Sequence, residues 1–320
     1  MYNTIKLEKG LYNLTGKIFS QVLEEADPSE NYKDTPLANL DAFERQLKRF
    51  DIKVNGPNAD FVEKFFTTTE SAVLFPEFVR RSIKQGIDES ILSDIVAVKS
   101  TIDGSSFNGI SIAETIPYDT TTAQGNELPE TKISEGSSQL VLNKIGRIIS
   151  ASYEVVRRQR LDVFTVALKA IGMKLGNAMT KEAISTLVLG ATTIETEGEA
   201  LTYSDLANLY SKFTDFNMTT LIASPTVVSQ ILKMDEMKEC TSKNWREILL
   251  PFGTKLLKSS QINDTTVIGL DKDYALELAT NSDLIIETDK LIDRQLDKIS
   301  VSVKLGFKKI IPDAVKCLII

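Results

Sequence analysis

Hydrophobic residues recur at intervals of three or four in two parts of the chain, as they do on one face of a helix. The first part predicts a helix over residues 37–50, whose apolar face holds Leu40, Phe43, Leu47 and Phe50. The second part predicts a helix over residues 161–189, which Gly190 ends. At 1.5 Å per residue the second helix is about 43 Å long. That is roughly twice a typical helix, so it indicates a structural support.

Residues 100–143 have a different character. Glycine, serine and threonine interrupt short runs that favour strands, so this segment lacks the apolar surface for a core of its own. It predicts an extended hairpin or a long loop that lies on another part of the protein. After it, helices and strands alternate without a repeated βαβ unit, which predicts an α+β fold. Strands are predicted at residues 140–152, 219–223, 265–269, 284–287, 298–307 and 314–320.

Three glycines in or near predicted helices indicate where a helix ends or packs closely on another element. A short helix is predicted over residues 76–84, with Pro76 in its first turn and Gly86 at its end. Gly172 and Gly176 form a small-xxx-small pair on the long helix, which is typical of membrane helix dimers. Lysines within the same segment argue against a membrane. Close backbone packing against a sheet or another subunit is therefore the preferred interpretation.

The composition excludes several kinds of chemistry. The 320 residues include no histidine, which excludes histidine-based catalytic triads and zinc sites. Cys240 and Cys317 form no metal-binding or redox motif, and no glycine-rich nucleotide loop is present. The net charge of −7 does not favour binding to nucleic acid or to anionic membranes, and no transmembrane segment is predicted. A metal-independent hydrolase that uses carboxylates or a Ser/Lys pair remains an alternative.

The order of several segments resembles that of one protein family. Leu74-Phe75-Pro76-Glu77-Phe78-Val79 ends a helical leader, and the glycine-rich extended segment follows it. Next come Asn126-Glu127-Leu128-Pro129-Glu130-Thr131-Lys132-Ile133, a strand and Ser152-Tyr153-Glu154-Val155-Val156. A long helix ending in Leu187-Val188-Leu189-Gly190 precedes a strand–Ser-Pro–helix unit at residues 221–232. This order resembles the major capsid proteins of tailed bacteriophages, which have the Hong Kong 97-type capsid fold.

The resemblance covers about residues 70–320 and implies named regions within the α+β fold. They are an N-terminal arm (1–75), the beginning of a P-domain (76–105), an E-loop hairpin (106–143), the P-domain with its spine helix at 161–189 (144–199), an A-domain (200–280) and strands that return to the P-domain (281–320). The apolar stripe of the first predicted helix is then expected to pack beneath its own or a neighbouring P-domain.

The same resemblance implies a structural protein without catalytic residues, metal or cofactor. Its copies are expected to form the pentamers and hexamers of an icosahedral phage head, assembled in the bacterial cytoplasm and ending in the virion. The expected partners are other copies, a portal, non-specifically held double-stranded DNA and no membrane. A separate scaffolding protein is also expected, because the stretch that precedes the core is short. The alternative with the same fold is an encapsulin-like compartment that encloses a cargo enzyme.

Charge is divided unevenly around the predicted hairpin. Residues 106–143 hold five acidic residues against one lysine, and residues 144–160 hold five basic residues against one glutamate. Three arginines lie close to the start of the long helix, where the helix dipole disfavours cations, so an acidic partner is expected elsewhere. Because an E-loop reaches across a neighbouring subunit in this family, the hypothesis is a contact between copies. Its members are Glu127, Glu130 and Glu135 on one copy, and Arg157, Arg158 and Arg160 on the other. The alternative is that both groups are only solvated surface.

Overall fold

The computed structural model describes residues 5–13, 17–114, 121–128, 130–198, 200–238, 247–291 and 296–320. The chain divides into two compact units, and each is built from three separate stretches of sequence. The first unit comprises Met1–Glu89, Gly146–Leu175 and Asp283–Val303, and the second comprises Ser90–Ile145, Gly176–Ser282 and Lys304–Ile320.

Helices and strands are interleaved along the chain, which confirms the α+β prediction. The helices are α1 (Phe19–Ala26), α2 (Ala42–Arg49), α3 (Thr69–Ala72), α4 (Phe75–Asp88), α5 (Leu92–Ile95), α6 (Tyr153–Arg157), α7 (Leu161–Val188), α8 (Tyr203–Ser211), α9 (Pro225–Ile231), α10 (Asp235–Lys238) and α11 (Lys272–Ala275). The strands are β1 (Val98–Thr101), β2 (Ser106–Glu114), β3 (Thr131–Val141), β4 (Asn143–Ser152), β5 (Thr192–Glu195), β6 (Thr220–Ala223), β7 (Ile248–Leu249), β8 (Lys255–Lys258), β9 (Thr266–Leu270), β10 (Leu276–Thr280), β11 (Ile285–Leu291), β12 (Leu296–Lys309) and β13 (Val315–Ile319). The long helix α7 agrees with its prediction to within one residue.

Helix α2 begins later than its hydrophobic pattern predicts. Asp41 caps it by accepting a hydrogen bond from the backbone N–H of Glu44, and the Glu44 carboxylate accepts one from the N–H of Asp41. This reciprocal arrangement fixes the first turn at Ala42. The predicted start at residue 37 is therefore wrong, and Leu40 lies just before the cap.

Helices α4 and α7 approach so closely in the first unit that their backbones touch. A methyl group placed on Gly172 would overlap the carbonyl oxygen of Ile83 and lie 3.0 Å from the Cα of Gly86. A methyl group on Gly86 would lie 2.8 Å from the carbonyl carbon of Lys169. Gly86 is thus inside α4 and does not end it, contrary to the prediction. Close backbone packing at Gly172 is confirmed, but its partner is a helix of the same unit.

The N-terminal part of the first unit has a buried ion pair at its centre. Arg45 and Asp27 are each 1% exposed, and the Arg45 Nε donates to the Asp27 carboxylate at 2.9 Å. Arg45 also donates to the carbonyl oxygen of Leu40, and its guanidinium lies 4.4 Å from the centre of the Tyr32 ring. The Tyr32 hydroxyl donates to Asp27 in turn. This stretch is therefore a folded substructure, with more order than the one predicted helix suggested.

The second unit is organised around a sheet in the order β5-β13-β9-β6-β8-β7. The pairs β5/β13 and β6/β8 are parallel, and the others are antiparallel. Helices α8 and α9 pack on it, and Ser224 caps α9 as predicted by accepting from the N–H of Val227. The fully buried core beneath these helices includes Leu206, Leu209, Leu221 and Ile231.

Strand β12 belongs to both units by sequence. Its first half pairs with β11 in the first unit, and its second half pairs with β10 in the second unit. Strand β13 instead lies between β5 and β9. The C-terminal residues are thus divided between two sheets, whereas the resemblance groups residues 281–320 as one set of returning strands.

Candidate assembly surfaces

The predicted apolar stripe of α2 is covered by its own chain. Phe43 and Leu47 are buried, and Leu40 and Phe50 are half-buried. The guanidinium of Arg81, on α4, lies 4.4 Å from the centre of the Phe43 ring. The stripe therefore contributes to the core of the first unit and does not present an open surface.

A charged network beside this stripe joins the N-terminal stretch to α4. The Glu77 carboxylate is fully buried and accepts hydrogen bonds from Ser20, Arg80 and Arg81. Arg81 also pairs with Asp41, and Arg80 pairs with Asp283 at 2.8 Å. Lys84 also pairs with Asp283, at 3.2 Å. The six charges of this network sum to zero, so each buried charge has an opposite neighbour.

Two opposing effects act on the pKa of Glu77. Burial raises the pKa of this carboxyl, but hydrogen bonds and charge from Arg80, with hydrogen bonds from Ser20 and Arg81, outweigh it. The pKa therefore lies below its ordinary value of 4.5. Burial likewise raises the pKa of Asp283, but the N–H of Leu284 together with Lys84 and Arg80 lowers that pKa by more. Both carboxylates stabilise the fold while they are ionised.

We expect the network to make stability depend on pH in the acid range. A lowered pKa means that the contribution of Glu77 is complete above pH 4.5 and is lost as the pH falls through the folded-state pKa. Glu77→Gln should reduce stability at pH 7 by about 2 kcal/mol, because a charged acceptor is lost. It should also reduce the slope with which the free energy of unfolding falls as the pH drops below 4.5. Thermal unfolding between about pH 3 and pH 7 measures both effects. Glu63→Gln, at an exposed position, is the control, and an unchanged slope in Glu77→Gln would contradict the assignment.

The hairpin of β2 and β3 carries the predicted acidic residues on exposed positions. Glu127, Glu130 and Glu135 are all exposed. Glu135 accepts a hydrogen bond from Asn108 at 3.0 Å, and Glu130 lies 3.8 Å from Lys132. Two apolar side chains of the same hairpin are also exposed, Leu128 at 79% and Ile133 at 72%. The hairpin thus combines acidic and apolar groups on its accessible surface.

The three arginines lie together in sequence but have different surroundings. Arg157 is the last residue of α6, and its guanidinium lies 5.3 Å from the Phe66 ring centre. Its Nε finds no hydrogen-bond acceptor among the described residues. Arg158 is exposed, and its guanidinium lies 3.9 Å from the Glu154 carboxylate. Arg160 makes a much shorter ion pair, at 2.7 Å, with Asp162.

This arrangement differs from the prediction for the three arginines. Arg157 and Arg158 end a short helix, where the dipole favours cations, and do not oppose the start of α7. Arg160 has its acidic partner in Asp162, within the first turn of α7, and also donates to the carbonyl oxygens of Gly56 and Pro57. Arg158 is therefore the arginine most available to a second molecule.

One face of α7 is apolar and exposed between residues 163 and 173. Val163 is 56% exposed, Val166 is 67% exposed and Met173 is 41% exposed. Ala167 and Ala170 complete this exposed face. Sequence spacing predicts the helix but not this second apolar face, because the buried and exposed faces are both rich in aliphatic residues. Such a continuous apolar surface is typical of a site covered by another molecule.

Neither a metal site nor a membrane-spanning helix is found among the described residues. No three His, Cys, Asp or Glu side chains among them are grouped to hold a metal ion. None of their helices combines the length and the low polarity that crossing a membrane requires.

Comparison with known proteins gives a consistent result. A family model described as phage capsid protein matches residues 135–299. The fold is similar to the capsid of a native GTA particle, with TM-score 0.55 and 14% identity over 74% of this chain and 90% of that one. It is similar to a Microbacterium phage protein, with TM-score 0.52 and 10% identity over 71% and 90%. It is also similar to an encapsulin from Synechococcus elongatus, with TM-score 0.50 and 11% identity over 70% and 84%. A search of curated protein sequences finds no match.

Proposed function

This chain belongs to the phage capsid protein family, and we propose that its copies assemble as pentamers and hexamers into an icosahedral shell around double-stranded DNA. It is a major capsid protein with the Hong Kong 97-type fold. The match of the family model over residues 135–299 carries the proposal. The encapsulin likeness, at 11% identity, reflects the shared fold alone.

We assign the regions of the chain to parts of a capsid subunit. Residues 1–75 form the N-terminal arm, and residues 106–143 form the E-loop. Helix α7 is the spine helix of the P-domain. Residues 200–280 form the A-domain. A separate scaffolding protein and a portal would complete the assembly, and the packaged DNA would be held without sequence specificity. The net charge of −7 suits a shell that must later release its DNA.

Exposed groups on the hairpin and on the first unit support a contact between copies. The hairpin offers Leu128 and Ile133, and α7 offers the apolar face that begins at Val163. Burying these two surfaces against each other would supply the hydrophobic part of the interface. The acidic side chains Glu127 and Glu130 would then approach Arg158 of a neighbouring copy. Glu135 of the first copy, and Arg157 and Arg160 of its neighbour, would lie at the border of the contact.

The shell itself is tested by particle size and content. Particles from the cells that naturally produce the protein are treated with nuclease and examined by negative-stain microscopy. We expect closed shells that protect genome-length DNA. A co-purifying enzyme in place of DNA would favour an encapsulin-like compartment, and a small oligomer alone would overturn the assignment as a shell protein.

The contact between copies is tested by charge reversal. Glu127→Lys combined with Glu130→Lys should slow assembly at low salt, because it places like charges opposite Arg158. Each exposed pair contributes only about 0.2–1 kcal/mol, but every copy repeats it. Adding Arg158→Glu should partly restore assembly, as followed by light scattering. Glu63→Lys with Glu195→Lys changes the net charge equally at other exposed positions and is the control. Normal assembly of the hairpin variant at low salt would exclude this contact.

A further inference from the structure

The hairpin of β2 and β3 consists of two ladders separated by an irregularity. Residues 106–108 pair with 139–141, and residues 110–114 pair with 131–135. Between these ladders the single residue Gly109 faces residues 136–138. Each strand therefore has a glycine, Gly109 or Gly136, where regular pairing stops. Such an interruption weakens the coupling between the two halves of a hairpin.

The side chain of Lys308, on β12, occupies the space beside both glycines. A methyl group on Gly136 would lie 2.5 Å from the Lys308 Nζ and 2.8 Å from the carbonyl oxygen of Gly109. One on Gly109 would overlap the Lys308 Cδ and lie 2.8 Å from both Cε and Nζ. Both glycines are buried, and Lys308 is half-buried. The lysine thus fills the space beside Gly109, and it shares the space beside Gly136 with the Gly109 carbonyl group.

The contacts on either side of Lys308 differ sharply. Towards the base, Leu140 and Leu142 pack over Gly306, two residues from Lys308 on the same face of β12. Towards the tip, the side chains of residues 131–135 are all exposed. Lys308 therefore lies at the boundary between the packed base of the hairpin and the exposed residues 131–135.

A second position is available to the same ammonium group. Glu277 of β10 is directly opposite Lys308 in the antiparallel pair, and it accepts a hydrogen bond from Ser100 at 2.6 Å. Opposite residues of such a pair have Cβ atoms about 4.5–5.5 Å apart. Lys308 makes no ion pair with any described residue in its present position. Moving away from the glycines would bring it to Glu277.

We propose that Lys308 is a two-position latch that sets the angle of the hairpin. Seated between Gly109 and Gly136, it holds the outer ladder, residues 110–114 and 131–135, at one angle to the rest of the second unit. Paired with Glu277, it frees that part of the hairpin to pivot about the two glycines. The inference concerns the chain's own conformation and does not depend on shell formation, so a failure to form shells leaves it testable.

The latch is tested by distances between two spin labels on the full chain. Lys132→Cys places one label on the exposed part of the hairpin, and Thr193→Cys places the other on β5 of the same unit. Cys240 is replaced by serine, and Cys317 stays unlabelled because burial raises the pKa of its thiol to about 11. Labelled chains are mixed with excess unlabelled chains, so that only distances within one chain are measured.

Gly109→Ala should displace Lys308, so that the distance distribution broadens and its mean shifts by roughly 4–5 Å. Residue 132 lies about 13 Å along the strand from residue 136, and a pivot of about 20° over that length moves it by this amount. Lys308→Ala should broaden the distribution about twofold, because nothing then fixes the angle. Combining both changes should restore a narrower distribution near the original mean, since the new methyl group fills part of the vacated space.

Two further variants make the outcome decisive. Glu277→Gln, added to Gly109→Ala, should reduce the shift because the second position of the lysine loses its charge partner. Lys304→Ala, at an exposed lysine of the same strand, should leave the distribution unchanged. The proposal is overturned if Gly109→Ala keeps the original mean within about 1 Å, which is well below the expected shift, or if Lys304→Ala broadens the distribution as much as Lys308→Ala does.

Discussion

Arg45→Ala is expected to lower the free energy of unfolding of the first unit by about 3–5 kcal/mol. The substitution leaves the Asp27 carboxylate buried without its cation, since Arg45 and Asp27 are each 1% exposed. It also removes the hydrogen bonds to Leu40 and Ser29 and the stacking on Tyr32. A loss of this size corresponds to roughly 6–20 °C in unfolding temperature.

Calorimetry of the full chain measures this effect, with two variants as references. Lys48→Ala changes an exposed cation on the same helix and should have an effect within about 0.5 kcal/mol. Arg45→Met combined with Asp27→Asn removes both charges and should be less destabilising than Arg45→Ala alone, because no unpaired charge stays buried. If Arg45→Ala unfolds at the same temperature as Lys48→Ala, the pair does not stabilise this part of the protein.

Larger residues at Gly172 should destabilise the first unit in order of their size. Alanine favours a helix over glycine by about 1 kcal/mol, so an unhindered Gly172→Ala would be stabilising. Here the methyl group would overlap the carbonyl oxygen of Ile83, and we expect a net loss of about 1–3 kcal/mol. Gly172→Leu should cost more than about 3 kcal/mol or prevent soluble expression.

Ala170→Leu is the matched control for this series. Ala170 lies close to Gly172 in sequence but on the exposed face of α7, where a larger side chain meets solvent. We expect its effect on unfolding temperature to be near zero, although it adds the same leucine to the same helix. A stabilising Gly172→Ala would show that α4 and α7 can separate without cost.

The elements that the sequence predicts best are those whose signals are local. Helix α7 and the cap of α9 at Ser224 follow from spacing and capping chemistry within a few residues. The start of α2 is mispredicted although Asp41 and Glu44 have capping-box spacing, because the hydrophobic stripe continues past the cap to Leu40. Gly86 resembles the end of a helix because its real role depends on contact with α7, which lies far along the chain.

The candidate contact surfaces are predictable only in part. The surplus of acids in the hairpin and of arginines after it is visible in the sequence, but local partners such as Asp162 for Arg160 depend on geometry. Nothing in the sequence indicates that Lys308 contacts Gly109 and Gly136, because the contact joins strands that are distant in sequence. Glu77 resembles an ordinary acid of a first helical turn, and only the fold shows that it is fully buried.

The discontinuous make-up of the first unit has a consequence during protein synthesis. Its first stretch ends at Glu89, but its last stretch ends only at Val303. At about 5–20 residues per second, a ribosome needs roughly 10–40 s to proceed from the first of these positions to the second. Throughout that interval α4 lacks strand β11, the partner it packs on from the last stretch. Nascent chains therefore leave the part of α4 that packs on β11 uncovered for tens of seconds, and this part is where we expect a chaperone to bind before the subunit is complete.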